Sequence, residues 1–247
     1  MTSVRIYVPA GDIAEHVTVR LSEQKAHHLI TVMRARKGDG LTVFDGMGTA
    51  YEAVVSEISK NRVLLDITRE IPSDTELLTH IVLCAAILKG EKMDLVVQKA
   101  TELGVMEIQP LVSERTIVKE TRRLDRWRAI AEESCEQCGR TILPHIREPK
   151  TFKEFFTLQP QLSGFVFWED GGLPLAEAHR MLIGKRNALP GSHPWHVVIG
   201  PEGGMTAEEV QLANSKGLVA ATLGRRILRA ETAAIVALGL VCFLTEK

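Results

Sequence analysis

The hydrophobic pattern of this 247-residue chain changes near residue 72, and that change most limits the folds it can adopt. Before it, short segments alternate apolar and polar residues and are separated by turn sequences such as PAGD and FDGMG. After it, buried-strand patterns alternate with helical ones, which is typical of a parallel sheet with helices on its faces. We therefore expect a small β-barrel or sandwich over residues 1–72 and an α/β domain over residues 73–247.

One helix interrupts the predicted barrel, at SEQKAHHLITVMRARKGD. Ser22 can cap its start, and the basic residues Arg34, Arg36 and Lys37 close it before Gly38. The second domain has five predicted strands: HIVLCAAIL, EIQPLV, GFVFWED, HPWHVVIG and GLVAATLG. Its four predicted helices are KMDLVVQKATELGV, which is closed by a glycine, RLDRWRAIAEESCEQCGR, TAEEVQLANSKG, which has capping-box spacing, and AAIVALGLVCFL, which is expected to be buried.

The sequence CEQC at Cys135–Cys138 raises the question of a metal or redox site. A lone C-x-x-C can be a redox pair or half of a zinc site, but neither a second pair nor two spaced histidines complete four ligands here. Helical spacing instead places these cysteines on one apolar face with Trp127, Ile130, Ala131 and Ser134. His27 and His28 are adjacent on a helix and point in different directions. We therefore expect core packing and no metal.

The charge and targeting patterns of the sequence indicate which binding partners and which cellular compartment to expect. The formal net charge is −1, so any nucleic-acid binding must come from local patches. No signal-peptide pattern is present, and the longest apolar run, AAIVALGLVCFL, is too short to span a bilayer. Four cysteines without a secretion signal indicate a reducing compartment. We expect a cytoplasmic protein that is not in a membrane.

The glycine-rich turn GPEGG, in VVIGPEGGMTAEEV, carries the first functional signal. It matches neither the Rossmann fingerprint G-x-G-x-x-G nor the P-loop pattern. Gly200, Gly203 and Gly204 nevertheless allow a ligand to lie against the backbone, where the amides of the next helix face it. Taken alone, this turn fits a ligand site and a plain turn equally well.

A second glycine turn, in ATLGRRILRAETAAIVALG, favours the ligand site. Gly224 precedes three arginines within five residues, and such a cluster beside a buried helix is costly unless it meets an anion. Both turns follow strands, so we expect them to line one crevice at the carboxyl ends of a parallel sheet. The stretch SERTIVKETRRLDRWR adds six basic residues against three acidic ones. Beside that crevice it fits a phosphate-binding track better than a merely solvated surface.

These segments resemble a known family, the SPOUT-class 16S ribosomal RNA uridine N3-methyltransferases (RsmE). The matching stretches include HHLITVMRARKGD, KGEKMDLVVQKATELGV, ERTIVK, RWRAIAEESCEQCGRTILP, IGPEGGMTAEE and LGRRILRAETA. The resemblance implies a PUA-like RNA-binding barrel and a methyltransferase domain with a mostly parallel sheet and a C-terminal trefoil knot. It also implies S-adenosylmethionine as cofactor, 16S rRNA of the small ribosomal subunit as substrate, and a homodimer with the knot helices at its interface.

The resemblance also assigns site residues. Those expected to hold the cofactor are Glu169, Ile199, Gly200, Pro201, Glu202, Gly203, Gly204, Leu223, Gly224, Ile227 and Leu228. Apart from the resemblance, we expect Arg5, Arg34, Arg36 and Arg115 to contact RNA phosphates, and Arg140 to reach either the RNA or the partner subunit's site.

Two residues are expected to act in the transfer itself. Loss of the uracil N3 proton places negative charge on the flanking carbonyl oxygens, and Arg229 is expected to stabilise it. Glu231 is expected to orient Arg229 or accept the proton, with a purely structural cap or arginine partner equally open. Two alternatives also stay open: an RNA methyltransferase of the same fold that acts on another RNA position, and a non-catalytic ribosome-assembly RNA binder.

Overall fold

The computed structural model describes residues 4–13, 18–60, 62–186 and 193–246. The chain divides into two compact units. The first unit contains residues 1–76 and 132–143, and the second contains residues 77–131 and 144–247.

The assignment of residues 132–143 to the first unit differs from the domain division expected from the sequence. Cys135, within this segment, forms a buried cluster with Phe44 and Ala50. Ile142 makes β-bridges to Gly46 and Met47. Apolar packing and backbone pairing between distant parts of the sequence thus place this segment, which no local pattern could predict.

The first unit contains a five-stranded sheet with two helices. Its elements are β1 (Arg5–Tyr7), α1 (Ala10–Ile13), β2 (Thr18–Arg20), α2 (Glu23–Thr31), β3 (Gly40–Phe44), β4 (Ala50–Ser59) and β5 (Arg62–Ile71). The strand order is β1-β3-β4-β5-β2, with β1 parallel to β3 and the other pairs antiparallel. The strands are those that the alternating pattern predicts. The predicted helix cap is confirmed, since the Ser22 side chain accepts a hydrogen bond from the Lys25 N–H.

The second unit contains an eight-stranded sheet in which every paired strand is parallel. The strand order is β11-β13-β10-β12-β6-β7-β8, and β9 also pairs with β7. Their bounds are β6 (Ile81–Ala86), β7 (Glu107–Val112), β8 (His145–Ile146), β9 (Lys150–Thr151), β10 (Gly164–Phe167), β11 (Leu173–Pro174), β12 (Trp195–Ile199) and β13 (Val219–Thr222). All five predicted strands are present.

Six helices follow these strands: α3 (Lys92–Glu102), α4 (Leu124–Cys138), α5 (Phe152–Leu158), α6 (Leu175–Arg186), α7 (Ala207–Ser215) and α8 (Ala230–Thr245). The predicted end of α3 is confirmed by Gly104, which has a φ of +84°. The predicted capping box of α7 is also present, because Thr206 and Glu209 each accept from the other's backbone N–H. α4 begins in the second unit and ends within residues of the first.

Both faces of the parallel sheet are covered, as the uninterrupted burial of its central strands β6, β10 and β12 requires. On β12, Val197 and Ile199 belong to a core cluster shared with α3, α6 and α8. Val198 points to the other face and joins a cluster shared with α5 and α7. The predicted α/β class is therefore confirmed, and it leaves the carboxyl ends of the strands as the open edge.

The last helix returns past a neighbouring strand. β10 lies between β13 and β12 in the sheet, yet α8, which follows β13, packs on α3 and β12. The trefoil knot itself stays a prediction. Over the described part of the chain, no helix combines the length and apolar character that crossing a bilayer demands.

Candidate cofactor and RNA site

A pocket of about 400 Å³ lies at the carboxyl ends of three neighbouring strands, β13, β10 and β12. This is the edge at which open parallel sheets bind ligands. The loop after β10 contributes Glu169 to its wall, and the loop after β12 contributes Gly200, Pro201, Glu202 and Gly204, together with Ile199 at the strand end. The loop after β13 contributes Leu223, Gly224, Ile227, Leu228 and Arg229. The structure thus brings the two predicted glycine loops into one site.

The first glycine loop is held in a tight turn. The Gly204 N–H donates to the Pro201 carbonyl at 2.9 Å, which closes a four-residue turn. Gly204 has a φ of +71°, and a Cβ added there would collide with the Glu169 carboxylate. Glycine is therefore required at residue 204 both by the backbone conformation and by the close approach of the neighbouring loop.

Gly203 is the one predicted cofactor residue that does not line the pocket. Its carbonyl accepts a hydrogen bond from Arg115 Nη1 at 3.1 Å. A Cβ on Gly203 would lie 3.1 Å from the Arg115 Cβ. Gly203 therefore packs on the segment that follows β7, and Arg115 supports the glycine loop.

The second glycine loop surrounds the pocket with positive charge. The Gly224 N–H donates to the Thr222 hydroxyl at 3.3 Å, and the φ of Gly224 is +110°. Arg225, Arg226 and Arg229 are exposed and line the pocket. Within the described parts of the chain, none of these three guanidinium groups has a hydrogen bond or an ion pair. Unpaired cations around a pocket make it attractive to anionic ligands.

A lysine connects two acidic side chains beside the pocket. Lys92 Nζ lies 3.0 Å from Glu202 Oε1 and 3.9 Å from Glu231 Oε2. Burial acts to raise the pKa of Glu202, but hydrogen bonds from backbone N–H groups and from Lys92 outweigh it and lower that pKa. Glu231 is 9% exposed and does not line the pocket. The Glu231 side chain therefore lies behind the residues that form the pocket wall.

The predicted RNA contacts of the first unit differ in accessibility. α2 ends at Thr31 rather than at the predicted basic residues, because Arg34 has a left-handed φ of 55° that a helix cannot contain, and Arg34 and Arg36 are exposed in the segment that follows. Arg5 is only partly exposed: its Nη2 donates to the Arg140 carbonyl at 3.3 Å and its guanidinium lies over the Phe44 ring. Burial lowers the pKa of Arg5. Of these three, Arg34 and Arg36 present free side chains to solvent.

The prediction that Arg140 contacts RNA disagrees with its position. Arg140 is 2% exposed, and its Nε donates to Glu76 Oε2 at 2.9 Å. Glu76 Oε1 accepts from the backbone N–H groups of Thr141 and Ile142. A buried, paired arginine stabilises this corner of the first unit and is not available at the surface.

The basic stretch after β7 is less free than its composition suggests. Arg126 Nε donates to Asp94 at 2.7 Å, and Arg123 Nη1 lies 3.7 Å from the same carboxylate. Arg128 pairs with Asp125 at 3.1 Å. The positive charge of this stretch is therefore partly neutralised by the carboxylates of Asp94 and Asp125. Asp94 lies outside the stretch, so the local pattern did not reveal that pairing.

The cysteines behave as packing residues. All four are free, and Cys135 is fully buried on the predicted apolar face with Trp127 and Ala131. Burial raises the pKa of Cys135 to about 12. Among the residues that the structure describes, no group of histidine, cysteine, aspartate or glutamate could hold a metal ion.

Sequence reasoning did not assign eight residues that line the pocket, and three of these eight are charged: Lys92, Arg225 and Arg226. The two arginines were recognised as an unexplained cluster beside Gly224, and that signal could have named them. Lys92 follows β6, which neighbours β12 in the sheet. Nothing local marks it, because its partners Glu202 and Glu231 are far away in the sequence.

Comparison with known proteins agrees with this geometry. Family models for an RNA methyltransferase domain and an RNA methyltransferase PUA domain match residues 75–242 and 21–68. Ribosomal RNA small subunit methyltransferase E of Synechocystis is 34% identical over 98% of this chain and 78% of its own length. The protein of the same name from Bacillus subtilis is 28% identical over 95% of this chain and 93% of its own.

Two solved structures share the fold over nearly the whole chain. One is ribosomal RNA small subunit methyltransferase E from Neisseria gonorrhoeae bound to S-adenosyl methionine, with 33% identity, 98% of each chain covered and a TM-score of 0.85. The other is a methyltransferase from Legionella pneumophila in complex with the same cofactor, with 30% identity, 99% and 98% covered, and a TM-score of 0.85. The chain therefore belongs to the RNA methyltransferase family that contains the ribosomal RNA small subunit methyltransferase E proteins.

Proposed function

We propose that this protein transfers the methyl group of S-adenosylmethionine to N3 of a uridine in 16S ribosomal RNA. One observation carries the proposal. Two glycine loops from β12 and β13, on either side of β10, wall a single pocket that carries three arginines without a partner in the described parts of the chain. A cofactor pressed against glycine backbone and a polyanionic substrate at the rim account for both features.

The pocket suits a compact nucleoside cofactor. Its volume of about 400 Å³ falls within the range of small-molecule sites. Gly200, Gly204 and Gly224 expose backbone where larger residues would fill space. When bound, S-adenosylmethionine supplies an electrophilic methyl on a sulfonium. The work left to this chain is positioning and charge stabilisation.

Arg229 is proposed as the catalytic residue that meets the developing charge. Loss of the N3 proton to solvent would leave a uracil anion, whose charge is shared by N3 and the two flanking carbonyl oxygens. N3 would then use its electron pair to take the methyl group, while the sulfur keeps the electrons of the broken sulfur–carbon bond. Arg229 lines the pocket, and its guanidinium has no partner among the residues that the structure describes. A guanidinium free to donate to those oxygens lowers the barrier without first breaking another ion pair.

Glu231 fits a positioning role better than proton acceptance. It does not line the pocket, and it lies in the first turn of α8, two residues after Arg229. Among the described residues, its nearest cation is Lys92, at 3.9 Å. We therefore propose that Glu231 helps to position the start of α8, next to Arg229.

The RNA must present an unpaired base. N3 lies on the pairing edge of uracil, so the target is single-stranded or is turned out of a helix. Arg225 and Arg226 are proposed to contact the flanking phosphates at the pocket rim. Arg34, Arg36 and Arg115 are proposed as further phosphate contacts because they are exposed. Arg5 and Arg140 are better explained as structural residues of the first unit.

The working form is proposed to be a homodimer that acts in the cytoplasm on the small ribosomal subunit. α8 exposes an apolar stripe of Val236, Leu240 and Phe243, with exposed fractions of 38%, 41% and 80%. These residues recur at helical spacing along one face, and such a stripe favours contact with another apolar surface.

Primer extension on ribosomal RNA tests the reaction and its target together. The protein is incubated with S-adenosylmethionine and unmodified small subunits, and reverse transcription then crosses the 16S RNA. A methyl on N3 blocks pairing, so we expect one cofactor-dependent stop one base before a uridine. Radiolabel entering the RNA without a stop would show that the methyl group is added at a position that does not block base pairing. Absence of both label and stop would favour an RNA-binding protein without transfer activity.

A further inference from the structure

Lys92 is placed to join the two walls of the pocket. Its ammonium lies 3.0 Å from Glu202, in the glycine loop after β12, and 3.9 Å from Glu231, at the start of α8. It is the first residue of α3, which follows a third strand of the sheet, β6. One side chain thus contacts two segments that lie far from it in the sequence and on different sides of the pocket.

The first of these contacts is well formed. Glu202 Oε1 accepts from Lys92 Nζ at 3.0 Å and from the Lys89 backbone N–H at 3.2 Å. Lys89 lies in the turn between β6 and α3, and Lys92 begins the helix that follows that turn. Two donors on one carboxylate oxygen fix the glycine loop to this turn more firmly than one exposed ion pair does.

The second contact compensates a buried charge. Glu231 is 9% exposed, and its Oε2 has no hydrogen-bond donor among the described residues. Within those residues, Lys92 is also the one cation within 4.0 Å of this carboxylate. A buried carboxylate without a compensating charge is strongly unfavourable, so the position of Glu231 depends on Lys92.

We propose that Lys92 is a positioning residue that fixes the glycine loop after β12 relative to α8 and the arginine loop before it. The inference rests on the proposed function, since it explains how the cofactor-binding wall and the Arg229 wall keep their spacing. Lys92 acts through Glu202 and Glu231 and need not touch substrate. Its removal should therefore weaken cofactor binding and transfer together.

The test compares Lys92→Met with a matched control, Lys99→Met. Lys99 lies on the same helix with nearly the same side-chain exposure, 36% against 38%, and pairs with Glu102 at 2.7 Å away from the pocket. Isothermal titration with S-adenosylmethionine should give about a tenfold larger Kd for Lys92→Met and no change for Lys99→Met. kcat for methyl transfer should also fall for Lys92→Met, and Lys92→Arg should restore most of both.

A double-mutant cycle isolates the link itself. Glu202→Gln should raise the cofactor Kd in the wild-type background and have little further effect in Lys92→Met. Additive effects of the two substitutions would overturn the proposal, as would equal Kd and kcat for Lys92→Met and wild type. Equal losses of cofactor affinity and kcat in Lys92→Met, Lys92→Arg and Lys99→Met would show that Lys92 contributes only to general folding stability. That result would also overturn the proposal.

Hydrogen exchange without cofactor separates this inference from the proposed function. Lys92→Met should speed amide exchange in residues 200–206 and 223–229 of the free protein, while Lys99→Met leaves both loops unchanged. If the wild-type protein fails to bind S-adenosylmethionine but amide exchange in these loops is faster in Lys92→Met, the proposed function fails and the positioning role of Lys92 stands. If the wild-type protein binds the cofactor normally and exchange changes in neither loop, the positioning role of Lys92 fails.

Discussion

The Glu169 carboxylate occupies the space that a side chain on Gly204 would need. These residues belong to different loops, after β10 and after β12, and both line the pocket. Residue 204 must therefore be glycine for two reasons. Its backbone is left-handed, and the loop after β10 packs directly against it.

Gly204→Ala should consequently damage the pocket. The added methyl must displace Glu169 and adopt a φ near +71°, which L-residues disfavour. We expect at least a tenfold loss of S-adenosylmethionine affinity by titration and a destabilisation of about 1–3 kcal/mol by urea unfolding. Gly184→Ala is the control, because its Cβ meets nothing within 4 Å on α6. Unchanged affinity in Gly204→Ala would contradict the packing of the two loops.

Arg229→Ala should separate chemistry from binding. The side chain lines the pocket and has no partner within the described ranges, so its removal leaves no buried group of those ranges unsatisfied. We expect kcat to fall by about 10²- to 10³-fold, as for loss of a donor to a developing oxyanion, with the cofactor Kd within twofold of wild type. Single-turnover transfer and titration measure the two quantities. A near-normal rate would remove Arg229 from the mechanism.

Arg225→Gln and Arg226→Gln should change the salt dependence of RNA binding. Each lost phosphate contact should make the slope of log K against log salt shallower by about 0.7 for a single-stranded target. Filter binding at several salt concentrations measures the slope. Arg180→Gln serves as the control, because Arg180 is an exposed arginine of α6 that does not line the pocket. An unaltered slope in both rim variants would show that these arginines do not meet phosphate.

His196 should make the protein less stable in mild acid. It is 9% exposed on β12, and burial lowers its pKa in spite of the Ser163 carbonyl 3.3 Å from its Nδ1. The unfolded chain then binds a proton that the folded chain resists, so stability is lost as pH falls below about 6.5. Urea unfolding between pH 7 and 5 should show this slope, at most about 1.4 kcal/mol per pH unit for one group.

The matching substitution is His196→Gln, which should flatten that pH profile. His145, exposed on β8, supplies the control variant His145→Gln. Equal slopes in the wild type and in His196→Gln would assign the acid sensitivity to other groups.

Thiol labelling should distinguish packed from accessible cysteines. Burial raises the pKa of Cys135 to about 12, that of Cys242 to about 11, and that of Cys84 still further. A maleimide or iodoacetamide at pH 8 should therefore modify Cys138, which is partly exposed, and spare the others until urea unfolds the chain. Peptide mass spectrometry identifies the sites. Rapid labelling of Cys135 in the native protein would contradict its buried position.

The sequence was informative where a residue's constraint is local. Gly200, Gly204 and Gly224 mark backbone that turns sharply, and a strand before each turn was enough to place them at one sheet edge. Ser22 and Thr206 likewise indicated where helices begin, because each side chain accepts a hydrogen bond from the backbone N–H three residues later. Each of these predictions is confirmed.

Features that depend on distant partners were not predictable in this way. Arg140 appeared basic and available, yet Glu76, 64 residues away, holds it inside the first unit. Lys92 became informative only when the fold brought Glu202 and Glu231 to it. α5 was also missed, because Phe152, Phe155 and Phe156 sit in a seven-residue helix too short to show a clear period.

The shared helix α4 has a consequence for how such a protein can evolve. Its last turns, with residues 139–143, complete the first unit and cover Phe44 and Ala50. A gene fragment that encodes residues 1–72 alone lacks this cover, and one that encodes residues 73–247 carries it with nothing to pack against. Recombination at residue 72 would therefore separate Cys135 from Phe44 and Ala50, and we expect selection to keep the two segments in one gene.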